Sequence, residues 1–351
     1  MSRRLPPIAG LMLAMMLALQ PVRAATLKAT LITPEDDPRL ERTRLDRAYL
    51  GHAGGPATEG LKVALDEGGF ELEAAGAAVA LSPAAARSIE TARATAQAAE
   101  KAGAALILTD LPADWTLAVA DAVKLPVLNI GAPDDRLRQQ DCRPRLFHVM
   151  PSERMRTDAV AQTLVSHKWS KLLMLIGAGP QDQQRAVTAQ ASIKRYGLQV
   201  VGTKPFKLST DPRERDLANP LLLTAGSAYD AVWVIDSDGE FARGLPYRTV
   251  LPRPVVGDAG LVALAWHAQF ERFGAPQVAR RFAKTAKRPM TDHDWAAWLA
   301  GKTLIALAAA APNGPNAAWA QALAGTSVDG SKGVKLSFRS WDGQLDRKSV
   351  V

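Results

Sequence analysis

Two stretches decide how this chain folds: Gly103-Ala-Ala-Leu-Ile-Leu-Thr-Asp-Leu-Pro-Ala-Asp-Trp-Thr116 and Pro126-Val-Leu-Asn-Ile-Gly-Ala-Pro-Asp-Asp135. Ala105–Leu108 is a short, continuous apolar run, Ala113–Val123 has helical spacing, and Pro126–Ile130 is a second apolar run. Strands that are apolar on both faces and joined by a helix belong to parallel sheets covered by helices on each side. Ligands of such sheets sit in the crevice at the carboxyl ends of the strands. Here those ends are Thr109-Asp110 and Gly131-Ala132-Pro133-Asp134-Asp135.

Outward from this unit the same pattern recurs. Leu27–Thr33 alternates as a first strand, Ala57–Glu67 reads as a helix stopped by Gly68-Gly69, and Phe70–Leu81 has strand spacing. Ser82-Pro83 predicts an N-cap and first helical residue for a helix running to Lys101. Ser152 caps another helix to His167, followed by a buried strand at Lys171–Ile176, a helix from Gln181 to Tyr196 and a strand at Gln199–Pro205. Asn219-Pro220 breaks the next helix. Ala231–Ile235 is a strand ending in Asp236-Ser-Asp-Gly239, and Pro254–Val256 leads to Gly257-Asp258. Three helices are expected near Trp266–Phe273, Ala275–Lys287 and Thr291–Ala311.

The prediction is an α/β protein of two Rossmann-like lobes, parallel sheets flanked by helices and joined by three crossings. Lobe one takes 25–148 plus 257–326, and lobe two 149–256 plus 327–345. Residues 1–24 read as a signal peptide. Arg3 and Arg4 precede an apolar Leu11–Leu19 too short to span a bilayer, and Val22-Arg23-Ala24 is a cleavage site. Residues 346–351, Asp-Arg-Lys-Ser-Val-Val, are what a common sequencing-adapter read-through encodes, so they are expected to lie outside the fold.

Removing Arg3, Arg4 and Arg23 with the signal lowers the formal charge from +8 to +5. The basic run from Arg280-Arg281 to Lys287-Arg288 lies on a predicted helix and reads as a solvated face, so no nucleic-acid partner is expected. Cys142 is the only cysteine, which excludes an intramolecular disulfide. More than three hundred residues remain after the signal, enough to bury a core without one. No catalytic motif is present: there is no Gly-x-Ser-x-Gly and no His-Glu-x-x-His. Gly177-Ala-Gly-Pro180 follows a strand, but Asp182 stands where a dinucleotide fingerprint needs glycine and would repel a pyrophosphate. The sequence therefore predicts no enzyme, cofactor or metal. His293, between Asp292 and Asp294, is read as part of a helix start.

The binding candidates are the polar residues at strand ends: Thr109, Asp110, Asp114, Trp115, Gly131, Ala132, Asp134, Gln181, Asp236, Asp238 and Asp258. Helix capping accounts for some of the acids. The others are expected to point into a cleft.

Longer combinations carry a family resemblance. They are Asp36-Asp37-Pro38-Arg39, Gly257-Asp-Ala-Gly-Leu261 with Ala265-Trp266-His267, and Phe273-Gly-Ala-Pro-Gln277 with Arg281-Phe282. Arg288-Pro-Met-Thr291 with Asp294-Trp-Ala-Ala-Trp298, then Gly333 with Phe338-Arg339, and Trp341-Asp-Gly-Gln-Leu345 complete the set. Over nearly the whole chain after the signal, the sequence resembles the type I periplasmic binding proteins of the branched-chain amino acid class. It is most similar there to the substrate-binding proteins of an ABC transporter associated with PQQ-dependent alcohol oxidation. The resemblance implies a periplasmic, non-enzymatic receptor that passes a small molecule to an ABC permease, with no membrane insertion after signal cleavage. A periplasmic accessory that binds a quinoprotein dehydrogenase or its maturation machinery is the alternative. Amino acid binders of the class hold the ligand carboxylate on a Ser/Thr-rich loop after the strand matching Ala105–Leu108. Here that loop is Thr109–Trp115, and Asp110 and Asp114 are expected to repel a carboxylate while Trp115 stacks on the ligand.

Overall fold

A computed structural model describes residues 25–47, 49–226, 228–310 and 316–346. The expected signal peptide, 1–24, and residues 347–351 of the expected adapter tail lie outside the described residues.

Three sheets organise the chain. The first has strands β1 (Ala25–Pro34), β2 (Ala77–Ala86), β3 (Leu106–Thr109), β4 (Val127–Asn129) and β5 (Leu146–His148), in the order β2-β1-β3-β4-β5 with every pair parallel. Helices α1 (Arg42–Arg47), α2 (Ala57–Glu67), α3 (Gly69–Ala74), α4 (Ile89–Lys101) and α5 (Ala113–Ala122) connect these strands. The second sheet has β6 (Lys171–Gly177), β7 (Gln199–Phe206), β8 (Ala231–Ile235) and β9 (Val255–Gly257), in the order β7-β6-β8-β9, again parallel. It carries α6 (Glu153–Ser166), α7 (Pro180–Arg195) and the short α8 (Pro220–Leu223). Then come α9 (Ala275–Ala286), α10 (Asp292–Ala310), α11 (Asn316–Gly325) and an antiparallel sheet of β10 (Ser327–Asp329), β11 (Lys335–Phe338) and β12 (Leu345–Asp346).

The continuous apolar runs are interior strands, as their two-sided burial requires. β3, β4, β5 and β8 are buried throughout. One core lies on each face of each parallel sheet. In the first sheet Leu27, Leu31, Leu106 and Leu108 face α2 and α10, and Ile32, Ile107 and Val127 face α4 and α5. In the second, Leu172, Met174 and Trp233 face α6 and α7, while Leu173, Leu175 and Val234 face the other side. α10 is apolar all round and buried along most of its length, the composition of a central helix.

Several expectations fail for physical reasons. Ser82-Pro83 starts no helix: β2 runs through both and pairs with β1 to Ala86, and Ser88 is the cap of α4, accepting from the Thr91 amide at 3.2 Å. The alanine run after Ser82-Pro83 reads as helical by propensity, but pairing along all ten residues of β2 overrides it, and an edge strand tolerates proline. Phe70–Ala74 is helical rather than extended. No helix forms at Trp266–Phe273; that segment is irregular and buries Ala265 and Trp266. Residues 327–345, expected in lobe two, place Val328, Leu336, Phe338 and Leu345 in the core around α10 instead. Asp346, expected to lie outside the fold, pairs with Ser337 in β12.

Candidate functional site

The carboxyl ends of the two parallel sheets face each other across a cavity of about 500 Å³. The loop after β4, the first turns of α6 and α7, the ends of β8 and β9 and the start of α10 all contribute to its wall. Arg44 and Leu50–Ala53, between β1 and α2, close one side. Arg44 donates to the Ser237 carbonyl at 3.2 Å, and Arg47 and the Tyr49 hydroxyl both reach Glu240. Arg156 on α6 pairs with Asp292 at the start of α10 at 2.8 Å, so both sheets are tied across the gap.

The loop after β4 is aimed by Asn129. Its Oδ1 accepts from the amides of Gly131 and Ala132 at 3.1 and 2.9 Å, and its Nδ2 donates to the Ala132 carbonyl. That turn brings Gly131 and Asp134 to the cavity wall and leaves Ala132 buried behind it. Gly131 is required by close approach: a Cβ there would stand 2.3 Å from Asp110 Oδ1.

The loop after β3 behaves differently. Thr109 is fully buried as the last residue of its strand. Asp110 is 2 % exposed and points inward, where His293 Nε2 lies 2.9 Å from its Oδ2 and Arg39 Nη1 2.9 Å from its Oδ1. Arg39 also forks onto Asp37, which is how the Asp36-Asp37-Pro38-Arg39 motif earns its spacing: Asp37 caps the short helix that presents Arg39. Burial acts to raise the Asp110 carboxyl, but His293 and Arg39 outweigh it and hold it well below the usual carboxylate range. Burial likewise opposes charge on His293, and Asp110 overrides it to raise the imidazole above its ordinary value.

The expectation for this loop is thus corrected: the Asp110 carboxylate is neutralised within the protein. Asp114 is an exposed acid paired with Arg136 at 2.5 Å, outside the cavity. Trp115 packs on the core beneath α4 and α5 and cannot stack on a ligand in the cavity.

In the second sheet Gln181 and Asp258 line the cavity, and Asp236 and Asp238 do not. Asp258 takes both terminal nitrogens of Arg185, at 2.8 and 2.7 Å, and the Asp236 amide at 2.7 Å. Glu153 holds the Arg185 Nε at 3.0 Å. Burial works against this charge, but the two acids raise the guanidinium above its ordinary value. Asp236 is turned to accept from the Ala242 amide at 2.8 Å, and Asp238 is exposed beside Arg44. Gly257, at φ +105°, lets the backbone turn against the Val234 carbonyl, where a Cβ would stand at 2.3 Å.

Sequence reading missed Arg39, His52, Arg156, Arg185 and His293 on the cavity wall. A helix start at Thr291 is correct: Asp294 accepts from the Thr291 amide and hydroxyl at 2.8 and 2.7 Å, which turns Asp292 and His293 inward. That capping pattern, read three-dimensionally, is the signal that points to His293.

Comparison with known proteins agrees with this geometry. Residues 85–245 match the profile of the family described as periplasmic binding protein. No curated protein sequence matches the chain. A solved ABC transporter substrate-binding protein from Desulfitobacterium hafniense, in complex with Leu, superposes with a TM-score of 0.68 at 15% identity, covering 91% of this chain and 94% of that one. A solute-binding protein of an ABC transporter from R. palustris, in complex with benzoate, gives 0.66 at 15% identity, covering 92% and 91%. Another, from Rhodopseudomonas palustris BisB5 with 3,4-dihydroxy benzoic acid, gives 0.66 at 13% identity, covering 91% and 90%.

The fold is that of a type I periplasmic binding protein. In this binding-protein fold the crevice at the strand ends is the cavity described above. Among the described residues no helix is long and apolar enough to cross a membrane, and no group of three or more His, Cys, Asp or Glu is placed to hold a metal.

Proposed function

We propose that this protein is a periplasmic, non-enzymatic receptor that captures a small molecule between two lobes and delivers it to an ABC permease by hinge closure. The observation that carries the reading is the polar cavity of about 500 Å³ at the strand ends of both sheets. Its volume suits a single-ring or amino-acid-sized solute, the size of the Leu and benzoates named for the structural neighbours. The two lobes correspond to the first and second parallel sheets with their helices. The cross-gap contacts of Arg44, Arg47 and Tyr49 would hold the closed form. The link to PQQ-dependent alcohol oxidation rests on the sequence resemblance, and it directs the ligand search toward alcohols, aldehydes, amines and acids.

A thermal-shift screen of those classes tests the reading, because a ligand of the native state raises Tm. A dose-dependent rise with one class is expected, and a flat response across all of them sinks the receptor assignment. A second reading, an accessory that docks a protein, draws on exposed Leu208, Leu217, Leu221 and Leu222. It predicts no small-molecule shift, and lost capture of a purified quinoprotein dehydrogenase when Leu221 and Leu222 become serine.

A further inference from the structure

The acids that the sequence singles out differ in one respect once folded. Asp110, Asp114, Asp238 and Asp258 are each engaged by an arginine, and Asp236 by a backbone amide. Asp134, which precedes the short helix Asp135–Arg138, makes neither a capping hydrogen bond to that helix nor an ion pair with a side chain among the described residues; its carboxylate accepts only from its own backbone amide. It lines the cavity.

The positive charges on the same wall are all engaged. Arg39 is held by Asp37 and Asp110, Arg44 by Asp238, Arg136 by Asp114 and Asp141, Arg156 by Asp292, and Arg185 by Glu153 and Asp258. A free carboxylate entering the cavity would have to take an arginine from a protein acid and leave that acid unpaired in a partly buried setting. An ammonium meets the opposite situation, a carboxylate without an ion-pair partner already in place. Burial pushes the Asp134 carboxyl above its ordinary range although Arg136 and Arg138 act to lower it. A bound cation would relieve that penalty.

A second group on the wall also awaits a partner. His293 is 4 % exposed and its Nε2 is committed to Asp110, while its Nδ1 has no hydrogen-bond partner in the protein. Nδ1 is thus left to meet a polar group of whatever molecule fills that side of the cavity. Gln181 on the same wall is a candidate for further neutral contacts.

We propose that the cavity takes a small organic ammonium, anchored on the Asp134 carboxylate with an uncharged polar group of the same molecule meeting His293 Nδ1, and that it disfavours free carboxylic acids. This rests on the receptor reading and names its ligand class. The test uses probes of one ring size: 4-hydroxybenzylamine, 4-hydroxybenzyl alcohol and 4-hydroxybenzoate, titrated calorimetrically into the full-length mature protein. The amine is expected to bind at least about tenfold more tightly than the acid, a difference of roughly 1.4 kcal/mol. Asp134→Asn should remove that preference while its melting curve stays that of wild type, since no ion pair is lost and the asparagine oxygen can still accept from the residue's own amide. Asp134→Glu should restore part of it, and Asp114→Asn, outside the cavity, should leave it intact. Tighter binding of the acid, or an Asp134→Asn variant that keeps the amine preference, overturns the assignment and leaves the receptor reading standing. Failure of all three probes together with a flat thermal-shift screen overturns both.

Discussion

Two neighbouring strands of the first sheet end in acid-rich loops, and the loops do opposite things. After β3 the chain turns inward, and Asp110 becomes the centre of a buried cluster with Arg39 and His293. After β4 the Asn129 side chain bends the chain outward, so Gly131 and Asp134 reach the cavity. The two loops touch at Gly131, whose missing Cβ makes room for Asp110. An acid at a strand end is thus a ligand group or a structural one depending on whether a cation from elsewhere in the chain reaches it first. Arg39 comes from 71 positions earlier in sequence and His293 from 183 later, as the separation of the hydrogen-bonded pair confirms for the latter.

The contrast breaks most readily at Asp110. Asp110→Ala removes the buried partner of His293 and one of the two acids that hold Arg39, and a loss of about 3–5 kcal/mol in chemical denaturation is expected. A loss under about 1 kcal/mol would mean that this loop carries no more structural weight than its neighbour. Next comes the point of contact. Gly131→Ala places a methyl against the Asp110 carboxylate and within 3.0 and 3.1 Å of its backbone. About 1–3 kcal/mol of destabilisation is expected by the same measurement, and an unchanged denaturation midpoint would show that the two loops move apart freely.

A third test is a slope in pH. His293 has its folded pKa raised, so its stabilising contribution is complete below the unfolded value of about 6.5 and is lost as pH rises through the folded value. His148 is shifted the other way, chiefly by burial, so its contribution is present above the same unfolded value and is lost as pH falls below it. The difference between wild type and His293→Gln isolates the first effect: the wild-type advantage should shrink as pH rises from 6 to 9. A constant difference would show that the imidazole is not charged in the fold. Asp110 adds a separate, acid-side dependence. Its folded pKa is depressed, so its contribution is present above the unfolded carboxylate value and fades as pH drops through the folded one.

The smallest effect belongs to Asp114. Its pair with Arg136 is largely exposed, with the Asp114 side chain at 72 %, so Asp114→Asn should cost under about 1 kcal/mol. It should also leave binding of the benzyl probes unchanged. A clear loss of affinity by calorimetry would place this acid in the site after all.

How much of this was legible in the sequence depends on how local each signal is. The parallel α/β plan was legible, because Ala105–Leu108 and Val127–Leu128 are apolar on both faces and only a sheet covered on both sides buries such strands. The cavity at the strand ends followed from that plan, and Gly131, Asp134, Gln181 and Asp258 do line it. The second half of β2 was misread, since alanine after Ser82-Pro83 favours helix locally and only pairing with β1 carries the strand on to Ala86. Trp115 was misread too: helical spacing places it on α5 but cannot say which side of α5 meets the core. What the sequence by itself determined is therefore the element pattern and the end of the sheets where polar residues gather, because both follow from side-chain period and local chain geometry. Only the tertiary structure decided which of those polar groups are left open. Neutralising a buried carboxylate takes a cation within about 4 Å, and the partners of Asp110, Asp258 and Asp292 arrive from remote parts of the chain, while among the described residues no ion pair forms at Asp134.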